Sequence, residues 1–233
     1  MSEIELSNCQ ILSVARHRRK LRRGTHYGNR FEIILRDLRF SPEASAGALL
    51  ERLQQIKALG VPNYFGEQRF GIDAGNLVAA DQHFAIRREN VSKTRGRRRQ
   101  RGGIKGLYLS AARAYLFNRV LSERVADGTW RRARDGEMAP AGPLWGRGRL
   151  PVAASLADWE AGVLAPMSDW LHGLEHSGLN QERRALILEP SDLHWHLCGD
   201  VLRLEFELPR GAYATALLRE LVVTHVPDGG AML

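Results

Sequence analysis

The chain has 233 residues, 44% of them hydrophobic, which is enough to close one large core or two small ones and too many for a disordered polypeptide. Its 34 Lys and Arg outnumber 26 Asp and Glu, for a formal charge of +8 and an isoelectric point near 10.1. That excess points to an anionic partner, nucleic acid first and an acidic membrane surface second, rather than to a basic surface serving solubility alone. Two cysteines, Cys9 and Cys198, exclude a disulfide framework and a cysteine-built metal site. No apolar run is long enough to cross a membrane and the N-terminal stretch carries no secretory core, so a cytoplasmic protein is expected.

In chain order, Asn8 to Ala15 reads as a strand and runs into six cations within eight positions: Arg16, Arg18, Arg19, Lys20, Arg22 and Arg23. Either this is a solvated basic turn, or something negative sits opposite; guanidinium groups grip phosphate oxygens in a fixed geometry, which favours phosphate contact. Gly24 to Gly28 form a turn, and Arg30 to Asp37 alternate as a strand with Phe31, Ile33 and Leu35 on one face and Arg30, Glu32 and Arg36 on the other. Ser41-Pro42-Glu43 reads as a helix N-terminus, with Leu49, Leu50, Leu53 and Ile56 at helical spacing and Gly60 closing the element.

The stretch Gly60 to Gly71 (Gly-Val-Pro-Asn-Tyr-Phe-Gly-Glu-Gln-Arg-Phe-Gly) has neither hydrophobic period. Its glycines and Pro62 imply a shaped loop that presents Asn63, Gln68 and Arg69 over packed Tyr64, Phe65 and Phe70. A short helix over Asn76 to Phe84 follows. Then comes a basic tract from Lys93 to Arg101 containing Arg97, Arg98 and Arg99, with Gly102, Gly103 and Lys105 continuing it as a loop suited to ordering on RNA.

Leu107 to Val125 is the strongest helix: Leu109, Ala112, Leu116, Phe117, Val120 and Leu121 trace one face, with Arg113, Arg119 and Glu123 away from it. Residues 127–149 are irregular, and Ala157 to His176 read as short helices around a small core. His194 and His196 flank Trp195 without an acidic or cysteine pattern, so no metal site is expected. Val201 to Leu208 alternates as a strand, with Leu202, Leu204, Phe206 and Leu208 inward, and a helix begins near Ala212.

Four strings carry a family likeness: Gly28-Asn-Arg-Phe31, Asn63-Tyr-Phe-Gly-Glu-Gln-Arg-Phe-Gly71, Leu109 to Asn118, and Leu208 to Glu220, with Gly142-Pro-Leu-Trp-Gly146 as a supporting match. In that order they resemble the TruD family of tRNA pseudouridine synthases. The resemblance implies an α+β fold, with part of a mixed sheet flanked by helices in residues 1–59 and 188–233. A family-specific α/β domain would be inserted over residues 60–187. It also implies tRNA as partner, no cofactor and no metal, and a uridine pocket in which Asn29 holds polar groups and Phe31 stacks on the base. Asn118 would meet backbone or a neighbouring loop, Tyr213 is a candidate pocket wall, and Arg219 is a candidate partner for an active-site carboxylate, beside plain packing and helix-surface roles for both.

One element of the pattern is missing. The family's nucleophilic aspartate stands in a Gly-x-Lys-Asp-Lys string, and this sequence has no Lys-Asp pair. Asp37 and Asp73 stand in no matching context. The expectation is therefore the C-terminal part of such a synthase, inactive alone, its missing segment due to a misplaced start codon, a fragment, or a split gene whose companion N-terminal polypeptide completes it; the alternative is a non-catalytic RNA-binding remnant.

Overall fold

The computed structural model describes residues 14–16, 18, 20, 26–42, 44–90 and 102–223. In chain order the elements are β1 (Gly28–Leu35), α1 (Ala46–Leu59), β2 (Val61–Pro62), α2 (Gly75–Asn90), α3 (Gly102–Ala126), β3 (Ala141–Leu144), α4 (Ala154–Leu164), α5 (Ser168–Glu175), β4 (Glu182–Ala185), β5 (Ile187–Leu188), β6 (Ser191–Cys198), β7 (Val201–Pro209) and α6 (Ala214–Leu218). The fold is α+β. Arg19, Arg22, Arg23, Arg97, Arg98 and Arg99 lie outside the described residues, as does most of the strand expected over Asn8–Ala15.

Among the described residues the main sheet has the order β1-β7-β6, and every pairing in it is antiparallel. Alternation decides its faces. Phe31, Ile33 and Leu35 stand opposite Phe206, Leu204 and Leu202 and pack on a core completed by Leu49, Leu53 and Ile56 of α1 and by Ala216 and Leu217 of α6. On the reverse face Arg203 pairs with Glu32 at 3.0 Å and with Glu205 at 3.1 Å, all three reached by solvent, so these ions contribute little stability.

Helix α1 starts later than the Ser41-Pro42 signal suggests. Ser45 is its N-cap, the hydroxyl accepting from Ala48 N at 3.1 Å, and Ser41 instead closes a turn by accepting from Ala44 N. Gly60 ends the helix at φ +68°, and a Cβ there would lie 2.7 Å from Leu188 O, so both dihedral and space call for glycine. The chain then pairs Val61 with Leu188 and Pro62 with Ile187, so the loop expected from Gly60 onward opens as a short strand.

A second core joins Ala80 and Phe84 of α2 to Leu109, Ala112, Leu116 and Val120 of α3, with Leu164, Trp170 and Leu174 from α4 and α5. Gly102 and Gly103, expected in the basic loop, belong to α3. Gly142 to Leu144, expected as loop, pair with β4 as β3. A third, smaller cluster of Phe65, Ala114, Phe117, Leu121 and Leu186 lies between the other two.

Arg113 was expected to face away from the helix core, and it turns inward. Its Nη2 donates to Leu144 O at 2.7 Å and to Asn180 O at 2.9 Å, carbonyls that need a donor where the chain leaves β3 and enters β4. Arg124 is fully buried: it donates to Thr129 O and Arg132 O and pairs with Glu137 at 3.3 Å. Arg183 pairs with the same Glu137 at 2.8 Å and grips Glu160 with both Nη atoms at 2.8 Å. Burial raises the Glu160 carboxyl above its ordinary range, against the pull of Arg183.

Candidate functional site

Phe65 sits at the centre of the Gly60–Gly71 segment, and its backbone is held from across the fold. Asn118 on α3 accepts from Phe65 N at 2.9 Å and donates to Phe65 O at 3.1 Å, a two-ended clasp on an irregular stretch with no ladder of its own. The Phe65 ring meets Phe117 edge-on at 5.5 Å and Tyr213 at 5.8 Å. Gly66 follows because a Cβ there would lie 2.5 Å from both Gln68 Oε1 and Thr215 Oγ1, which contact each other across the loop.

Two arginines converge on that ring. Adjacent residues of a strand point to opposite faces, and β4 uses this: Arg183 enters the Glu137–Glu160 network, while Arg184 lies over Phe65 at 4.1 Å and Phe117 at 5.5 Å. Arg184 donates to Gly211 O at 3.0 Å and to Asn63 Oδ1 at 2.6 Å. Arg69, half-buried, stands over the same ring at 5.6 Å. Burial lowers the Arg184 guanidinium to about 10, Tyr213 opposing the shift and Arg69 adding to it. Arg184 therefore remains a cation at neutral pH. Holding it costs the fold stability, and the cost is relieved only as pH rises from about 10 towards the ordinary value.

The arrangement corrects the placement expected for Asn63. This side chain is buried, with Nδ2 donating to Ala185 O at 2.9 Å and Oδ1 taken by Arg184. An amide with both ends committed inside the protein positions Arg184; it is not presented at the surface. The loop presents exposed Gln68 and half-buried Arg69 instead.

The strand start Gly28-Asn-Arg-Phe31 lies at the same border. Arg210 N donates to Tyr27 O at 3.2 Å, Asn29 stands opposite Leu208, and the turn that follows supplies the Gly211 carbonyl held by Arg184. Asn29 is exposed. Phe31 is half-buried, one face stacked on Phe206 at 5.3 Å, so it is not sealed inside. Of the first basic run, Arg16, Arg18 and Lys20 are described, and all three are exposed.

Tyr213 packs on Phe65, and Arg219 lies over the Tyr64 ring at 5.3 Å. His172, Glu175 and His176 bring potential ligand atoms within 4.8 Å of one another at the end of α5, a grouping the scattered histidines did not suggest. Its members already have work: Glu175 accepts from Trp145 Nε1 at 3.0 Å, and the His176 ring meets His172 O at 2.9 Å. Arg184 is the site residue that sequence reasoning missed. Its only signal is the doublet Arg183-Arg184 in a short strand, which says that one of the two must face inward.

The family model for tRNA pseudouridine synthase D (TruD) matches residues 1–81 and 131–221. The tRNA pseudouridine synthase D of Cellvibrio japonicus is 48% identical over 217 residues, covering 91% of this chain and 61% of that protein. That of Aeromonas salmonicida is 40% identical over 258 aligned residues, covering 99% of this chain and 69% of that protein. The chain thus spans 61% and 69% of the length of these two relatives. A TruD crystal structure from Methanosarcina mazei superposes with a TM-score of 0.60 at 20% identity, over 85% of this chain and 69% of that one, a likeness of fold.

Proposed function

The chain belongs to the TruD family of tRNA pseudouridine synthases, and on that premise we propose that it forms the RNA-gripping and base-holding part of an enzyme that isomerises uridine-13 of tRNA to pseudouridine in the cytoplasm, without a cofactor. In that reaction the glycosidic bond from C1′ to N1 breaks, the base turns, a bond from C1′ to C5 forms, the C5 proton leaves, and N1 takes up a proton, so that product and substrate are isomers. A carboxylate attacks the ring or the sugar carbon to start it.

In this reading Phe31 stacks on the extruded uracil with the face not covered by Phe206, and Asn29 hydrogen-bonds it from the open end of β1. Gln68 and Arg69 contact the adjoining nucleotides, Asn63 holds Arg184 in place, and Arg16, Arg18 and Lys20 neutralise backbone phosphates together with Arg19, Arg22, Arg23, Arg97, Arg98 and Arg99. Residues 1–59 and 188–233 form part of the catalytic unit and residues 60–187 an insert. The sheet core draws on 49–61 and 188–217, and the helical core on 80–174, which supports this division.

The observation that carries the reading is the meeting of β1 with the Gly211 turn. It sets an open asparagine and a half-open phenylalanine on the strand next to the turn whose Gly211 carbonyl Arg184 holds. The attacking carboxylate comes from outside these residues, as no Lys-Asp pair occurs among them. Tritium release from tRNA labelled at uridine C5 tests this. The chain alone is expected to release none, and a companion polypeptide carrying Gly-x-Lys-Asp-Lys to restore release that disappears when uridine-13 is replaced. Phe31→Ala should then reduce kcat/KM roughly ten- to a hundred-fold, the worth of one stacked base. Full activity of Phe31→Ala would overturn the pocket, and salt-dependent tRNA binding that no companion converts to turnover would leave the chain as a non-catalytic RNA-binding remnant.

A further inference from the structure

We propose that Arg69 and Arg184, stacked on Phe65, form a cradle for one phosphodiester of the RNA backbone, distinct from the arginine-rich runs of the sequence and set between the sheet core and the helical core. This rests on the reading that the chain acts on RNA.

The argument begins with how this fold treats its other inward arginines. Among the described residues, Arg113, Arg124 and Arg183 each bury an Nε with no partner, and each meets a carboxylate through Nη: Glu182, Glu137, and Glu137 with Glu160. Arg69 and Arg184 also bury an Nε with no partner, yet neither forms an ion pair among the described residues. Instead they share one aromatic ring, at 5.6 and 4.1 Å, close enough for Arg69 to depress the basicity of Arg184. Two like charges brought together over a ring, with no acid between them, raise the energy of the fold unless an anion joins them.

That anion has to come from outside, because the fold spends its nearby polar groups on orienting the pair. Asn63 and Gly211 O take two donors of Arg184 and fix its plane, and Asn118 fixes the Phe65 backbone beneath. The Arg69 backbone is tied to Gly66 O and Asn76 Nδ2, but its guanidinium makes no hydrogen bond among the described residues, so its side-chain donors are uncommitted. Both side chains remain partly open to solvent. A phosphodiester fits this opening: it has a single negative charge and two unesterified oxygens for a planar fork of donors. Gln68, whose Oε1 accepts from Thr215 Oγ1 at 3.4 Å, stands on the same loop.

Fluorescence-anisotropy titration of the full chain with labelled tRNA, at a series of salt concentrations, decides the matter. Arg69→Gln is the informative variant because the Arg69 side chain has no hydrogen bond to lose, its backbone bonds survive the substitution, and the fold should melt unchanged. It is expected to weaken binding roughly ten-fold, as for a lost charge-assisted hydrogen bond, and to make the slope of log affinity against log salt shallower by about 0.7 to 0.9, one released counterion. Arg69→Lys should keep the slope, and Arg203→Gln, on the reverse face of the sheet, should change neither quantity. Arg184→Lys, which retains charge and loses the fork, should weaken affinity with little change of slope. Wild-type binding with salt dependence, matched in affinity and slope by Arg69→Gln, overturns the cradle and leaves the RNA reading standing. Absence of salt-dependent tRNA binding by the wild type overturns both.

Discussion

Asn118 and Asn63 do the same work from two sides of the Phe65 loop. Each uses the donor and the acceptor of one amide, Asn118 on the backbone of Phe65, and Asn63 on Ala185 O and Arg184. Replacing Asn118 by a small apolar residue strands the Phe65 N–H and C=O away from water, and the same change at Asn63 strands Ala185 O and a donor of Arg184. Asn118→Ala is therefore expected to cost about 1–3 kcal/mol, read as a lower urea midpoint with an unchanged slope. A loss well below that range would mean that the loop holds itself. The two differ in legibility. The partnership of Asn118 with a neighbouring loop was expected from its place in a family-like string at the end of a helical face. Asn63 stands among glycines and aromatics, where local pattern does not say whether an amide turns out or in.

At the scale of elements, α2 and α5 meet through a position with no room for a side chain. A Cβ on Gly173 would lie 2.2 Å from Phe84 Cδ1, and Phe84 is itself packed beside Trp170 with rings 6.0 Å apart. The ring has to move if the glycine gains a methyl, and the helical core has little slack. Gly173→Ala should destabilise by about 1–3 kcal/mol, the usual cost of overpacking, seen as a lower melting temperature. A Gly173→Ala, Phe84→Leu double variant should recover part of it, and no recovery would place the strain elsewhere. The alternation of β7 and the apolar face of α3 were readable in advance because period alone sets them. The start of α1 was not, since Ser41 and Ser45 offer the same hydroxyl to a helix and tertiary packing chooses between them. Nor was the inward turn of Arg113, which answers carbonyls brought near only by the pairing of β3 with β4.

Taken whole, the molecule sets Arg69 and Arg184 on the small cluster around Phe65, and stability and binding should separate there. Arg124 and Arg183 are neutralised in the interior by Glu137 and Glu160, and Arg113 meets exposed Glu182, an arrangement no spacing reveals because the three glutamates come from different parts of the chain. The pair over Phe65 is left for a ligand. Phe65→Ala should remove both the junction packing with Phe117 and Leu186 and the surface on which the arginines rest. Leu164→Ala, buried in the helical core and remote in sequence from the loop, removes packing alone. Each is expected to cost about 2–5 kcal/mol as a large-to-small core change. At a temperature where both variants are fully folded by circular dichroism, Leu164→Ala should bind tRNA as the wild type does, whereas Phe65→Ala should bind more weakly and with a shallower salt slope. Equal binding by both would show that the ring is packing and nothing more, and the two arginines would then need another support to act as a unit.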